Sequence, residues 1–188
     1  MSDSFIVDAN LPNSHKLIRD FLYTNLSPIL QSNRPIIFLC IGTDRATGDA
    51  LGPLVGYKLK MLPANNFFVY GSLQSPIHAI NLQETLNKIN NSFKNPYIVA
   101  IDACLGSVQN IGKIFLETKP LTPGASLNKE LPLVGDISIS GIVNISGNYE
   151  FLVLQNTRLS TVMLLADSIY LGISQFIMKS QSLKTFLN

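Results

Sequence analysis

The 188-residue sequence predicts an α/β protein: a three-layer helix–sheet–helix sandwich around a mixed, mainly parallel sheet. Three observations carry the prediction. First, "PIIFLCIG" and "PYIVAID" are near-continuous apolar runs with β-branched members, as expected of strands covered on both faces. Second, strands alternate with helical patterns through the first half, the signature of βαβ units. Third, strand-like runs follow one another from residue 111 to 154 with no helix between them, which argues for antiparallel pairing there.

Taken in order, "SHKLIRDFLYTNLSPIL" spaces Leu17, Phe21, Leu22 and Leu26 for a helix at about 14–30, with Ser14 as its cap. The strand "PIIFLCIG" ends at Gly42, and a helix runs from Asp49 through "DALGPLVGYKLKMLP" to a stop at Pro63. "FFVYGSL" is the next strand, "AINLQETLNKINNSF" the next helix, and "PYIVAID" a strand ending at Asp102. "IGKIFLETKPL" and "VGDISISGIVNI" are further strands, separated by the loop "TPGASLNKELP". "YEFLVLQNT" reads as another short strand, and a long helix from about Arg158 closes the chain. The whole of 1–188 is read as one domain, without repeats or low-complexity segments.

Charged residues are 14% of the chain and apolar ones 46%, a globular composition. A net charge of +2 without a Lys/Arg cluster argues against a nucleic-acid partner. The two cysteines, Cys40 and Cys104, form no disulfide framework, and the N-terminus lacks the pattern of a signal peptide, so the expectation is a reduced, cytoplasmic protein. Residues 159–178 are long enough to span a bilayer, but Asp167, Gln175 and the serines favour a buried core helix, and no membrane partner is expected.

Two acids fall where α/β sheets bind ligands, beyond the carboxyl ends of strands. Asp102 ends one strand, and Asp49 opens the helix after another. If the strands are neighbours, the carboxylates approach, share a proton, and divide into an ionised base and a protonated acid. With a histidine they would instead suit a divalent metal. Plainer roles stand beside these: Asp49 as a helix N-cap, with Pro53 in the first turn, and Asp102 in an Asx-turn.

Other constellations are weaker. "GTDRATGD" has neither the Lys of a P-loop nor a dinucleotide fingerprint. Cys104 with His78 imitates a nucleophile pair, but a buried structural thiol is the simpler reading, as it is for Cys40. His15 reads as surface, Arg45 as a solvated loop charge, and Ser138 and Ser140 as the polar face of a strand.

Four motifs in order, "FLCIGTDRATGDALGPLVG", "IDACLG", "GDISISGIVN" and "LQNTRLSTVM", closely resemble the YyaC family of sporulation proteins. The likeness spans residues 34–178. That family resembles the germination protease that degrades small acid-soluble spore proteins and, more distantly, hydrogenase maturation proteases. The resemblance implies a HybD-like, phosphorylase/hydrolase-like fold. Asp49-Ala50-Leu51-Gly52-Pro53 matches the germination protease's acid–Ala–Leu–Gly–Pro motif, and Asp102-Ala103 its second acid. It therefore implies Asp49 and Asp102 as a catalytic pair that activates water for peptide hydrolysis. Thr43, Asp44 and Asn144 are candidate substrate-binding residues, and the N–H groups at the start of the Asp49 helix candidate oxyanion donors. No histidine follows His78, so the metal-binding third ligand of the maturation proteases is missing; no metal or other cofactor is expected. The implied partner is a protein or peptide substrate, with small acid-soluble spore proteins as candidates, in the sporulating cell or forespore. A homo-oligomer is compatible with the reading, and so is a non-catalytic binding or regulatory protein that keeps the fold.

Overall fold

Why the two apolar runs carry no polar alternation is visible in the sheet they build. The computed structural model describes residues 4–62, 66–123 and 131–185, with side chains as far as Gln181. Strand β2 (Ile36–Cys40) is buried at every position. It lies between β3 (Phe67–Tyr70) and β4 (Tyr97–Gly106), parallel to both. Two further strands, β5 (Lys113–Glu117) and β6 (Ile137–Ile145), join β1 (Ser4–Asp8) in a six-stranded sheet of order β1-β5-β6-β4-β2-β3. β6 runs parallel to β4, whereas β5 is antiparallel to both β6 and β1. The sheet is therefore mixed, as expected, with its antiparallel pairs, β1–β5 and β5–β6, at the β1 edge.

The two faces are covered unequally. Ile36, Phe38 and Cys40 on β2, Val99 and Ile101 on β4, and Ile137 and Ile139 on β6 point into one core. There they meet α1 (Ser14–Gln31), α2 (Leu51–Leu59) and α5 (Leu159–Thr185), which pack on one another. The alternate residues Ile37, Leu39 and Ala100 meet Leu82 and Ile89 of α3 (Leu82–Ser92) in a smaller core. α5 is apolar and long enough to cross a membrane, yet 56% of its most apolar stretch is buried inside the protein. Asp167 on α5 pairs with Lys58 on α2 at 3.0 Å, so the charge that interrupts this helix faces a neighbouring helix.

Several expectations are corrected. Residues 149–157 are not a strand: α4 (Glu150–Gln155) is a short helix. Tyr149 adopts a left-handed conformation (φ 61°) that turns the chain after β6, and a brief Phe/Leu/Val run carries no period that separates strand from helix. β1, unassigned in the sequence, forms a sheet edge. β4 continues four residues past Asp102. Ser14 is no cap; Asn13 (φ 66°) precedes the helix, and the buried Ser14 hydroxyl lies 3.1 Å from that of Ser168. The helix stop at Pro63 and most of the 122–132 loop lie outside the described residues.

Candidate active site

β2 and β4 are neighbours, and this brings the two aspartates to one end of the sheet. The last rung between the strands is the Ile41 N–H to the Ile101 carbonyl, 2.8 Å. Gly42 then turns the chain out at φ 133°, a conformation L side chains rarely adopt. A Cβ on Gly42 would lie 2.1 Å from the Asp49 carbonyl, so glycine permits the loop to fold back on itself. Asp49 sits in a one-turn 3-10 helix, Thr47–Ala50, ahead of α2. Gly52 seats α2 against β2, since a Cβ there would lie 2.0 Å from the Ile41 carbonyl.

Asp49 is not a helix cap: it makes no capping bond, and its Oδ2 accepts the Thr43 N–H at 3.1 Å. Thr43 N–H also reaches the Asp49 carbonyl at 3.0 Å, which locks the loop across its base. Asp102 makes no Asx-turn. It lies within β4, 4% exposed, and its Oδ1 accepts the N–H of the next residue, Ala103, at 2.8 Å.

Burial dominates the electrostatics. It pushes the half-buried Asp49 carboxyl up to about 6, against a smaller opposing effect of the Thr43 N–H. Asp102 is raised well above the ordinary range, first by burial, then by the Asp49 charge, with the Ala103 N–H opposing. Two neighbouring carboxyls that are both raised, one in part by the charge of the other, can divide into a base and an acid.

The remaining sequence candidates fall into two groups. Thr43 is half-buried at the base of the loop, bonded through its N–H to Asp49, and its hydroxyl accepts the Arg45 N–H at 3.3 Å. Asp44 and Arg45 are exposed at the loop tip. Asn144 stands in the wall, not in the pair: its amide donates to the Thr157 hydroxyl at 3.2 Å and accepts the Ile145 N–H at 2.8 Å. Thr157 in turn packs against Gly48, where a Cβ would lie 2.8 Å from its hydroxyl. Of the proposed oxyanion donors, the Asp49 N–H is taken by the Ala46 carbonyl at 3.0 Å.

Cys104, two residues beyond Asp102 on the same face of β4, is a protonated thiol; burial and Asp102 push it up to about 12. His78 is engaged locally, its Nδ1 accepting the Ile80 N–H at 3.3 Å. Cys40 is fully buried, His15 is half-buried, and Arg45 is solvated. Ser138 is not part of a solvated face: it is 1% exposed, and its hydroxyl has no partner among the described residues. Sequence reasoning missed Ser140, which pairs with Asp102 across the β4–β6 ladder and bonds Cys104. The signal was the shared strand-end position of "YIVAID" and "ISISG". Among the described residues no group of three or more His, Cys, Asp or Glu side chains gathers as a metal-ligand set. A groove between β1 and α1, about 890 Å³ and lined in part by Phe5, Leu17 and Phe21, lies apart from both aspartates.

The chain is similar to several known proteins. The solved structure of a [NiFe] hydrogenase maturation protease, HycI from Thermococcus kodakarensis KOD1, is similar at a TM-score of 0.42 and 17% identity. That match covers 75% of this chain and 98% of HycI. The chain is 51% identical over 143 residues to "Uncharacterized protein YyaC" of Bacillus subtilis (strain 168), covering 76% of this chain and 70% of that protein. A family model described as "Protein of unknown function (DUF1256)" matches residues 6–172, and the chain belongs to that family.

Proposed function

We propose that the protein is a peptidase in which Asp49 and Asp102 activate water for peptide-bond hydrolysis. One observation carries the reading: a buried Asp102 whose carboxyl is raised well above the ordinary range, in part by the charge of a neighbouring Asp49 that is itself raised to about 6. A structural cap or turn needs no such pair, and burying two carboxyls together costs stability that a catalytic role explains.

The chemistry follows from the division of protons. Ionised Asp49 takes a proton from water, whose oxygen attacks the peptide carbonyl. Protonated Asp102 gives its proton to the carbonyl oxygen as the tetrahedral intermediate forms. When that intermediate collapses, the C–N bond breaks and the leaving amine takes the proton held by Asp49. The new acid product returns a proton to Asp102. Thr43 holds Asp49 in place through its N–H, and Asp44, exposed at the tip of the same loop, would meet substrate.

Resemblance to the germination protease supports small acid-soluble spore proteins as substrates and a site of action in the cytoplasm of the sporulating cell or forespore. The test is mass spectrometry of host-cell extract, including those proteins, incubated with the wild type, Asp49→Asn and Asp102→Asn. New peptides made by the wild type alone support the reading. No cleavage by any of three folded proteins refutes it and favours a non-catalytic binding protein.

A further inference from the structure

β4 outlasts its neighbour. In a parallel ladder each residue points both its N–H and its C=O to the same side, alternating along the strand. Residues 97 and 101 of β4 bond towards β2, as the Tyr97 N–H to Pro35 carbonyl and Ile41 N–H to Ile101 carbonyl bonds show. Residues 98 and 106 bond towards β6, through the Asp136 N–H to the Ile98 carbonyl and the Ser146 N–H to the Gly106 carbonyl. Ala103 and Leu105 therefore present their main-chain groups to the β2 side, where β2 has ended.

The loop that carries Asp49 creates this vacancy. Were the ladder continued, the Thr43 N–H would donate to the Ala103 carbonyl. It donates to Asp49 instead, and the Arg45 N–H turns to the Thr43 hydroxyl. The Ala103 N–H is used by Asp102, and among the described residues no loop, turn or side-chain hydrogen bond reaches the Ala103 carbonyl or either main-chain group of Leu105, whose neighbour on this side, β2, has ended. All of β4 from Ala103 to Gly106 is half-buried, so these groups sit at an accessible edge. Val108, just after β4, and Ile145, at the end of β6, are exposed and uncharged, while the exposed charges Asp44 and Arg45 lie on the loop after β2.

We propose that this free segment of β4, Ala103–Leu105, is the substrate-docking edge: an extended, uncharged peptide segment adds there as a strand in the place β2 vacates. Unpaired strand edges recruit extended peptides through main-chain bonds. At about 3.3 Å per residue, Leu105 lies about 10 Å from Asp102. Docking there thus engages residues two or three removed from the bond presented to the aspartates. The inference rests on the peptidase reading for what happens after docking, but not for the docking itself.

The experiment is amide-resolved NMR of the Asp49→Asn protein with an N-acetylated, C-amidated hexapeptide of alternating valine and serine, at millimolar concentration. Hydrogen exchange at the Leu105 N–H should be fast in the free protein and slow with peptide. N-methylating the peptide at one set of alternate residues should weaken binding about tenfold, and at the intervening set much less. That pattern supports docking whether or not the wild type cuts the peptide; a bound, uncut peptide counts against the aspartate chemistry only. Perturbations that avoid residues 103–106, or equal losses at every N-methyl position, overturn the docking edge even if cleavage is seen.

Discussion

Replacing Asp49 with asparagine should make the protein more stable at neutral pH while removing its proposed activity. The folded state holds this carboxyl at about 6, against 3.8 for the free side chain. An acid raised by folding binds its proton more tightly in the folded state. The contribution of this group to stability therefore falls as pH rises from about 4 to about 6, then levels off. Two pKa units correspond to at most about 3 kcal/mol. Partial solvent access at Asp49 lowers the figure to about 1–2 kcal/mol. An asparagine oxygen still accepts the Thr43 N–H, so little is lost in exchange. For a chain of this size the gain is about 2–8 °C in Tm at pH 7. Thermal unfolding of both proteins from pH 4 to 8 reads the effect, with curves that meet near pH 4 and part as pH rises. Parallel curves across the range, or a variant less stable at pH 7, would refute the reasoning. Asp102→Asn is the control: it removes only the slope that the raised Asp102 carboxyl contributes, so the Asp49-linked slope should persist.

Further outcomes follow from the same geometry. The rate of peptide cleavage should rise through about pH 6 as Asp49 ionises and fall at higher pH as Asp102 loses its proton, measured as kcat/KM against pH. Gly42→Ala should destabilise by more than about 2 kcal/mol in urea unfolding, because its Cβ meets the Asp49 carbonyl and its φ is unfavourable. Ser138→Ala should be neutral or stabilising by up to about 1 kcal/mol, since it removes a buried hydroxyl without a partner; a loss above that size would reveal a hidden bond. Asp167→Asn should cost less than about 1 kcal/mol by the same measurement, as befits a partly exposed pair with Lys58.

The fold was legible where residues bury symmetrically. "PIIFLC" had to be a central strand because both its faces are covered, and its neighbour "YIVAID" shares the property. The long closing helix was legible for a similar reason: interrupted by Asp167, it had to lie on protein, and Lys58 supplies the partner. Short elements were not legible. The six residues of α4 are too few to express a period, and their form is set by the turn at Tyr149 and by packing on the Asp49 turn. β1 is an edge strand whose Phe5 and Ile6 stay exposed, so its pattern resembles that of a loop. At the site, the positions of Asp49 and Asp102 near one sheet end were legible because strand ends gather there. Their bonds were not: the Thr43 N–H that replaces the cap, and the Ala103 N–H that replaces the Asx-turn, depend on how far each strand runs. Sequence periodicity placed the end of β4 four residues early, and the free edge beyond Asp102 went unseen with it.

The division of protons between the two aspartates underlies both the chemistry and the stability argument. Carboxyl-carbon NMR of aspartate-labelled protein, titrated from pH 3 to 9 and assigned with the two asparagine variants, observes it directly. The account predicts one step near pH 6 that vanishes in Asp49→Asn, and an Asp102 carboxyl still protonated at pH 7 whose titration moves down when Asp49 is neutralised. Two independent steps near pH 4, each unmoved by loss of the other group, would contradict it.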